Sequence, residues 1–326
     1  MIHILSTVCT SPEFITARAA SQGRSSSVDP SATCPHRDGE MAFVALHDGV
    51  PVARALAQPM AGQPGIGNIA LFECIDDPST AKALLEACEV HLRSLGIHAV
   101  VGPMDADTWH AYRTSDPSDH PPFLLDRHTP TWMGELFRQA GYEVCDRYLS
   151  SWIPREALRW SRLETHLERF RNRGVTFHEL DKGDWEGELS RIHCLSLEAF
   201  ANNSWASPLD YPAFRSLYRG WRDRLPTDGI VLASLEDRLL AYVVSCPEPM
   251  EDGSCRTVIK TVATSRHPCA RGLGALLVEW LHRKAHASNH TGVVHALMHA
   301  SNPSTHILSG HGRTIRTYSL WRKELR

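Results

Sequence analysis

The sequence has no long apolar run and no leader-like start. A helix that spans a bilayer needs about 20 consecutive apolar residues, and none of the 326 residues belongs to such a stretch. The first residues, "MIHILSTVCTSPEF", lack a basic region before an apolar core, so we expect no signal peptide. The sequence therefore predicts no association with a membrane.

The nine cysteines form no C-x-x-C pair, and neither charge sign dominates. The odd number and the scattered positions exclude a disulfide framework and a zinc ribbon, which makes a reducing cytoplasm the simplest compartment. The net charge of −3 gives no indication of a nucleic-acid groove. A hydrophobic content of 42% is ordinary for a globular protein, and the length allows two domains.

The same order of elements occurs twice along the chain. The first half contains a hairpin pattern turning at Asp48-Gly49, the strand "GNIALFECI", the helix "DDPSTAKALLEACEVHLRSLG" and the strand "IHAVVG". The second half contains "GIVLASLEDRLLAYVVSC", "CRTVIKTVA", "GLGALLVEWLHRKAHAS" and "GVVHALMHA" in the same order. In the first helix we expect Ser79 as N-cap and Gly96 just after the last turn. The pattern indicates a duplication.

A glycine-containing turn joins the second of these strands to its helix, in "CARGLGALL". The first N–H groups of a helix are unpaired and its N-terminus is electropositive, so such a turn can bind an anion. A P-loop would need Lys and Ser or Thr after Gly274, where the chain has Ala275 and Leu276. A dinucleotide fingerprint would need a small residue at Leu277. Both motifs are excluded.

"CARGLGALL", placed between a strand and a helix, resembles motif A of the GNAT acyltransferases, written Q/R-x-x-G-x-G/A. Gly272 and Gly274 match its two small positions, whereas Cys269 stands where Gln or Arg is usual, and Arg271 would supply charge instead. The order of elements from about residue 174 onward also resembles this family. The first half resembles a degenerate copy, with Asp76 and Asp77 where the glycine loop would be.

The resemblance implies an α/β (or α+β) fold of two tandem GNAT-like domains, each a mixed, mostly antiparallel sheet flanked by helices. We expect a degenerate domain over 1–155, a linker helix over 156–173 and an acyltransferase domain over 174–326.

The family binds acyl-CoA through its pyrophosphate and its pantetheine thioester, without a metal. The resemblance therefore implies contacts to the donor from these residues: Val262, Ala263, Thr264, Arg271, Gly272, Leu273, Gly274, Ala275 and Asn302.

The proton-transfer residues are left open by the sequence. Ser309 stands where many members of the family have a tyrosine acid. His299 is a candidate general base because imidazole titrates near neutral pH, and Ser304 is an alternative on the following segment. His282 and His286 have a spacing that can bind zinc, but without a third ligand we interpret them as part of a solvated helix face.

Aromatic residues in two segments are candidates for binding the acceptor. Trp205 and Tyr211 lie where the family places its acceptor loop, and Trp109 and Tyr112 lie in an insertion of the first half. Packing in a core is the competing interpretation for all four.

Three functions fit these patterns. The leading one is transfer of an acyl group, expected to be acetyl, from CoA to the amine of a small molecule. The same groove could instead take its acyl group from a carrier protein in secondary metabolism, docked on the basic residues Arg266, Arg283 and Lys284 beside Arg271. The third is a non-catalytic module that binds acyl-CoA.

Overall fold

The computed structural model describes residues 2–22, 38–126, 129–224, 226–302 and 312–326, without the side chains of 18–22. The strands are β1 Ile2–Thr7, β2 Met41–His47, β3 Val50–Pro59, β4 Ile66–Cys74, β5 Ala99–Gly102, β6 Thr114–Ser115, β7 Glu143–Pro154, β8 Val175–Glu179, β9 Ile230–Leu235, β10 Arg238–Pro249, β11 Cys255–Thr264, β12 Gly292–His299 and β13 Arg313–Glu324. The helices are α1 Pro12–Gln22, α2 Pro78–Ser94, α3 Met133–Gln139, α4 Leu163–Arg171, α5 Trp185–Phe200, α6 Tyr211–Leu217 and α7 Leu273–Ala287. Within these described residues no helix is long and apolar enough to cross a membrane.

Two compact units form, and neither is a single stretch of sequence. The first unit consists of Met1–Ser118, Arg127–Tyr148 and Thr317–Arg326, and the second consists of Asp119–Asp126 and Leu149–Arg316. These units differ from the sequence bounds at 155 and 174, because the end of β13 pairs with β5 in the first unit. The segment 156–173, expected to be a linker helix, is instead part of the second unit. Its helix α4 buries apolar residues in the core of that unit.

The first unit has a mixed sheet in the order β1, β2, β3, β4, β5 and the end of β13. Only β4 and β5 are parallel among these pairs. The β2–β3 turn occurs at Asp48-Gly49, both with positive φ, as predicted. Phe43 packs in the core that includes α2, and its neighbour Val44 packs with Phe14 of α1, because successive strand residues point to opposite faces.

The second unit has a mixed sheet in the order β12, β11, β10, β9, β8, with the end of β7 beside β12. β11 and β12 are parallel, whereas the pairs β8–β9, β9–β10 and β10–β11 are antiparallel. Ile259 lies in the core formed with α4 and α7, whereas its neighbour Val258 lies in a cluster around Phe123. α7 and Phe123 therefore cover opposite faces of this sheet.

The repeated order of elements is confirmed. In each unit a hairpin is followed by a strand, a helix and a parallel strand. The parallel ladder has the same short length in both, joining Ile66–Asn68 to Ala99–Val101 and Thr257–Ile259 to Val293–His295. The predicted mixed, mostly antiparallel sheets flanked by helices are therefore present twice.

Candidate functional site

The turn between β11 and α7 exposes the N-terminus of the helix. Gly272 has a φ of 94°, in the left-handed region that glycine adopts without strain. It occupies the N-cap position, and no side chain caps α7. The N–H groups of the first helical turn have no intrahelical acceptors, so this N-terminus can receive an anion.

Gly274 brings this N-terminus against the end of β11. A Cβ atom at position 274 would lie 3.1 Å from Cγ2 of Thr264 and 3.4 Å from Cγ1 of Val262. Only glycine fits without displacing these side chains. The backbone of Val262 to Thr264 is thereby placed beside the anion-binding end of α7.

The edge of β11 that faces β12 is open over part of its length. The ladder between the two strands ends at Ile259 and His295, although β11 continues to Thr264. Beyond this point Leu297 has a φ of 60°, and its N–H donates to Oγ of Ser150 at 3.0 Å. We call residues 261–264 the open edge of β11. An extended ligand that carries amide groups can pair with such an edge as an added strand does.

A carboxylate of α5 supports the turn that leads to Gly272. Glu198 Oε1 accepts hydrogen bonds from Oγ of Ser265 at 2.7 Å and from the N–H of Arg266 at 2.6 Å. Its Oε2 accepts one from Arg238 at 3.2 Å. The bonds from Ser265 and Arg266 lower the pKa of the Glu198 carboxyl, so the group stays ionised. The sequence analysis missed this residue because its partners are distant in the chain and no motif marks it.

In the first unit the corresponding helix N-terminus is already filled. Asp77 is the N-cap of α2, and its carboxylate accepts hydrogen bonds from the N–H groups of Ser79 at 3.3 Å and Thr80 at 3.0 Å. Both hydroxyls also donate to Asp77, and the bond from the Thr80 hydroxyl is the main cause of the lowered pKa of this carboxyl. The prediction of Ser79 as N-cap is therefore wrong, because the aspartate two residues earlier takes that position.

A second carboxylate fills the strand edge of the first unit. Leu71 follows the last parallel pair of β4, has a φ of 49°, and donates its N–H to Oδ1 of Asp105 at 2.7 Å. The two kinds of backbone donor that are open in the second unit are thus occupied by side chains in the first.

Comparisons with solved structures identify the architecture. A probable N-acyltransferase from Enterococcus faecalis has a TM-score of 0.59, with 10% identity over 100% of this chain and 73% of its own. A tandem GNAT protein from the clavulanic acid biosynthesis pathway has a TM-score of 0.54, with 11% identity over 100% of this chain and 99% of its own. This chain has a tandem GNAT fold. Identities this low show the GNAT fold alone.

Comparison of sequences gives less information than comparison of structures, and some of the matching proteins are much longer than this chain. No protein-family profile matches the chain. Protein YghO of Escherichia coli is 23% identical over 183 residues, which are 56% of this chain and 47% of that protein. A GCN5-related N-acetyltransferase region of a fungal glucosaminidase matches with a TM-score of 0.54, and the chain covers 38% of that protein. The chain thus spans less than half the length of both.

Within the GNAT fold of the second unit, His299 is the last residue of β12. Its Nδ1 accepts the N–H of Ser301 at 3.2 Å and lies 2.8 Å from the Ser301 hydroxyl. A neutral ring with Nδ1 as acceptor carries its proton on Nε2. Asn302 donates its N–H to the carbonyl of His299 at 2.9 Å. Ser304 lies outside the described residues.

The four aromatic residues predicted to contact the acceptor are divided between the units, two in each. Trp205 is buried in the second unit, and Tyr211 donates its hydroxyl to Glu186 at 2.9 Å. In the first unit the Trp109 N–H donates to Asp107, and the Tyr112 ring packs edge-on against another tyrosine. Their contact with an acceptor stays a prediction.

The two histidines of α7 do not share a solvated face. His282 is buried, and its Nε2 lies 3.0 Å from Nε2 of His295 on β12. The earlier interpretation is wrong for His282 because α7 turns this position toward the sheet. His286 packs against the ring of Trp160. Within the described residues no group of three or more His, Cys, Asp or Glu side chains could hold a metal ion.

Proposed function

We propose that the second unit binds acyl-CoA and transfers the acyl group, expected to be acetyl, to the amine of a small molecule. The observation that carries this proposal is the uncapped N-terminus of α7 beside the open edge of β11. The helix N-terminus suits the pyrophosphate, with Arg271 exposed beside it, and the open edge suits the amides of the pantetheine arm. A cytoplasmic location is part of this proposal, as the scattered cysteines of the sequence indicate.

The proposed reaction is aminolysis of a thioester, in which backbone groups rather than side chains provide the main contacts to the reacting atoms. The neutral amine attacks the thioester carbonyl, a C–N bond forms, the C–S bond breaks, and the thiolate takes up a proton. Backbone N–H groups at Val262 to Thr264 are the proposed donors to the oxyanion that forms on the carbonyl. Asn302 would contact the donor at the end of β12.

The role of His299 is constrained by its hydrogen bonds. A base acting through Nε2 needs its lone pair there, whereas the contact from the Ser301 N–H leaves the neutral ring with a proton at that atom. In this arrangement Nε2 is a hydrogen-bond donor, which suits a hydrogen bond to the carbonyl oxygen or to the departing thiolate, while solvent supplies the proton that the thiolate takes up. Removal of the amine proton by His299 would require loss of the Ser301 contact, so water is the simpler acceptor.

Only the second unit is proposed to bind the donor. Asp77 already satisfies the N-terminus of α2, and Asp105 satisfies the N–H of Leu71. A pyrophosphate would have to displace one carboxylate and a thioester the other. Repulsion between like charges adds to the cost.

The carrier-protein alternative is weakened by the pairing of its basic residues. Arg283 pairs with Glu164, and Lys284 Nζ lies 2.7 Å from Oδ2 of Asp228. Only Arg266 and Arg271 of the predicted patch remain available to a partner. The alternative of a non-catalytic module is carried by no separate observation.

The test is thiol release from acetyl-CoA in the presence of a panel of small amines and amino acids, with products identified by mass spectrometry. Release that depends on the amine supports the proposal. Binding of CoA without release would favour the non-catalytic module, and release only from an acylated carrier would favour the carrier-protein donor. Absence of CoA binding by calorimetry contradicts the proposal outright.

Glu198→Gln is expected to weaken CoA binding about fivefold. The amide keeps one acceptor oxygen but loses the charge and the bond to Arg238, and a hydrogen bond to a charged group contributes about 1.5–3 kcal/mol when well shielded. The partial exposure of Glu198 reduces this effect. Calorimetry with CoA measures it. Glu164→Gln, which removes an exposed ion pair elsewhere in the unit, is the control. Equal affinities of the two variants would contradict the role of Glu198.

A further inference from the structure

Residues 119–126 are built into the second unit, although they precede most of it in the sequence. Nε of Arg316 lies 2.9 Å from Oδ2 of Asp126, and both side chains are buried. Nη1 of Arg316 also donates to the carbonyl of His120 at 2.7 Å, and the N–H of Leu124 donates to Glu248. The segment is therefore fixed at both ends.

Phe123, in the middle of this segment, lies where β11 and β12 separate. Its buried ring packs in a cluster with Val258, Val294, Ala296 and Ile315. Val258 and Val294 are partners in the parallel ladder, which ends one residue later. Phe123 thus contacts both strands at the closed end of the open edge, on the face opposite α7.

A thioester arm bound on the open edge has little room at its far end. With its pyrophosphate at α7, the arm starts near Thr264 and runs toward Lys260, where the ladder closes the edge. The Nζ of Lys260 donates to the carbonyl of Leu125 at 3.1 Å, so the segment reaches this point too. The core around Ile259 fills the face that α7 covers, which leaves a longer acyl chain the direction of the opposite face, where the Phe123 ring lies.

On the basis of the proposed function, we propose that Phe123 restricts the donor to short acyl groups. The ring blocks the space that each additional methylene would need, so acetyl fits and hexanoyl does not. In an apolar pocket one methylene changes recognition by about 10-fold or more. Phe123 is then a specificity residue of the donor site, contributed by a segment from the first half of the sequence.

The experiment is calorimetry of CoA, acetyl-CoA, butyryl-CoA and hexanoyl-CoA with the full chain, which needs no knowledge of the acceptor. The wild type is expected to bind acetyl-CoA at least about 10-fold more tightly than hexanoyl-CoA. Phe123→Leu is expected to reduce this ratio about 10-fold while leaving the affinity for CoA unchanged. Phe43→Leu, which replaces a buried aromatic ring of the first unit by a smaller side chain, is the matched control and should keep the wild-type ratio.

Thermal unfolding identifies a variant that has lost its fold, and Phe123→Met, which has about the volume of leucine but an unbranched and more flexible chain, provides a second substitution. A folded Phe123 variant with the wild-type ratio would overturn the proposal, as would a wild type that binds hexanoyl-CoA as tightly as acetyl-CoA. Failure of CoA itself to bind would instead refute the donor site and the proposed function on which this inference rests.

Discussion

Gly274→Glu is expected to abolish CoA binding, with a loss of about 100-fold or more in affinity. Two effects act together at this position. The new Cβ would lie 3.1 Å from Cγ2 of Thr264, so this side chain must shift by a few tenths of an ångström at the point where α7 meets β11. The carboxylate would also stand at the helix N-terminus, where it repels the pyrophosphate and competes for its N–H donors.

Two further variants separate these effects in the same calorimetric measurement. Gly274→Gln has nearly the same size without the charge, so it should bind CoA more tightly than Gly274→Glu and less tightly than the wild type. Asp77→Asn alters the capped helix of the first unit and should leave CoA affinity unchanged. Binding that survives Gly274→Glu but is lost in Asp77→Asn would reverse the assignment of the two units.

The second unit is expected to lose stability as the pH falls from about 6.5 to about 4. Burial lowers the pKa of His282 from 6.5 to about 4, and burial lowers the pKa of His295 as well. Nδ1 of His282 faces the carbonyl of Arg159 at 3.3 Å and must donate to it, so Nε2 accepts the proton of His295. The pair is held neutral in the folded protein.

The sign follows from proton binding in the two states. Below pH 6.5 the unfolded chain binds protons that the folded chain does not bind. The free energy of unfolding is therefore highest above that pH and declines as the pH falls to about 4. The shift of His282 alone corresponds to about 3 kcal/mol. The midpoint of thermal unfolding, measured between pH 7.5 and 4.5, would show this decline in stability.

His282→Gln is expected to flatten this decline. The glutamine amide does not titrate, and it can both donate and accept in place of the imidazole. His286→Gln, four residues later and packed against Trp160, should retain the wild-type pH dependence. Parallel curves for both variants and the wild type would rule out the buried histidine pair as the cause.

Several local features followed directly from the sequence. The positive φ values at Asp48-Gly49, the helix that follows Gly272, and the repeated strand and helix order were all predictable, because turn chemistry and hydrophobic periodicity act over a few residues. The position of the open helix N-terminus also followed, since Gly272 and Gly274 are adjacent to it. Ser79 shows the limit even at short range, because Asp77 was the stronger cap.

Contacts between distant parts of the chain were not predictable in this way. Glu198 reaches Ser265 across 67 positions, and Phe123 reaches β11 and β12 across more. No local pattern records such a pairing. The burial of His282 likewise depended on which face of α7 meets β12, which the spacing of its histidines did not specify.

By itself, the sequence determined the two-fold order of strands and helices and the presence of one glycine turn suited to an anion. The tertiary structure decided which compact unit each terminal strand joins, which carboxylate supports the glycine turn, and what lies at the end of the open edge. The physical reason is the distance along the chain over which each kind of interaction acts. Backbone preferences and periodicity are set by neighbouring residues, whereas the end of β13, the carboxylate of Glu198 and the ring of Phe123 take their places only when distant segments pack together.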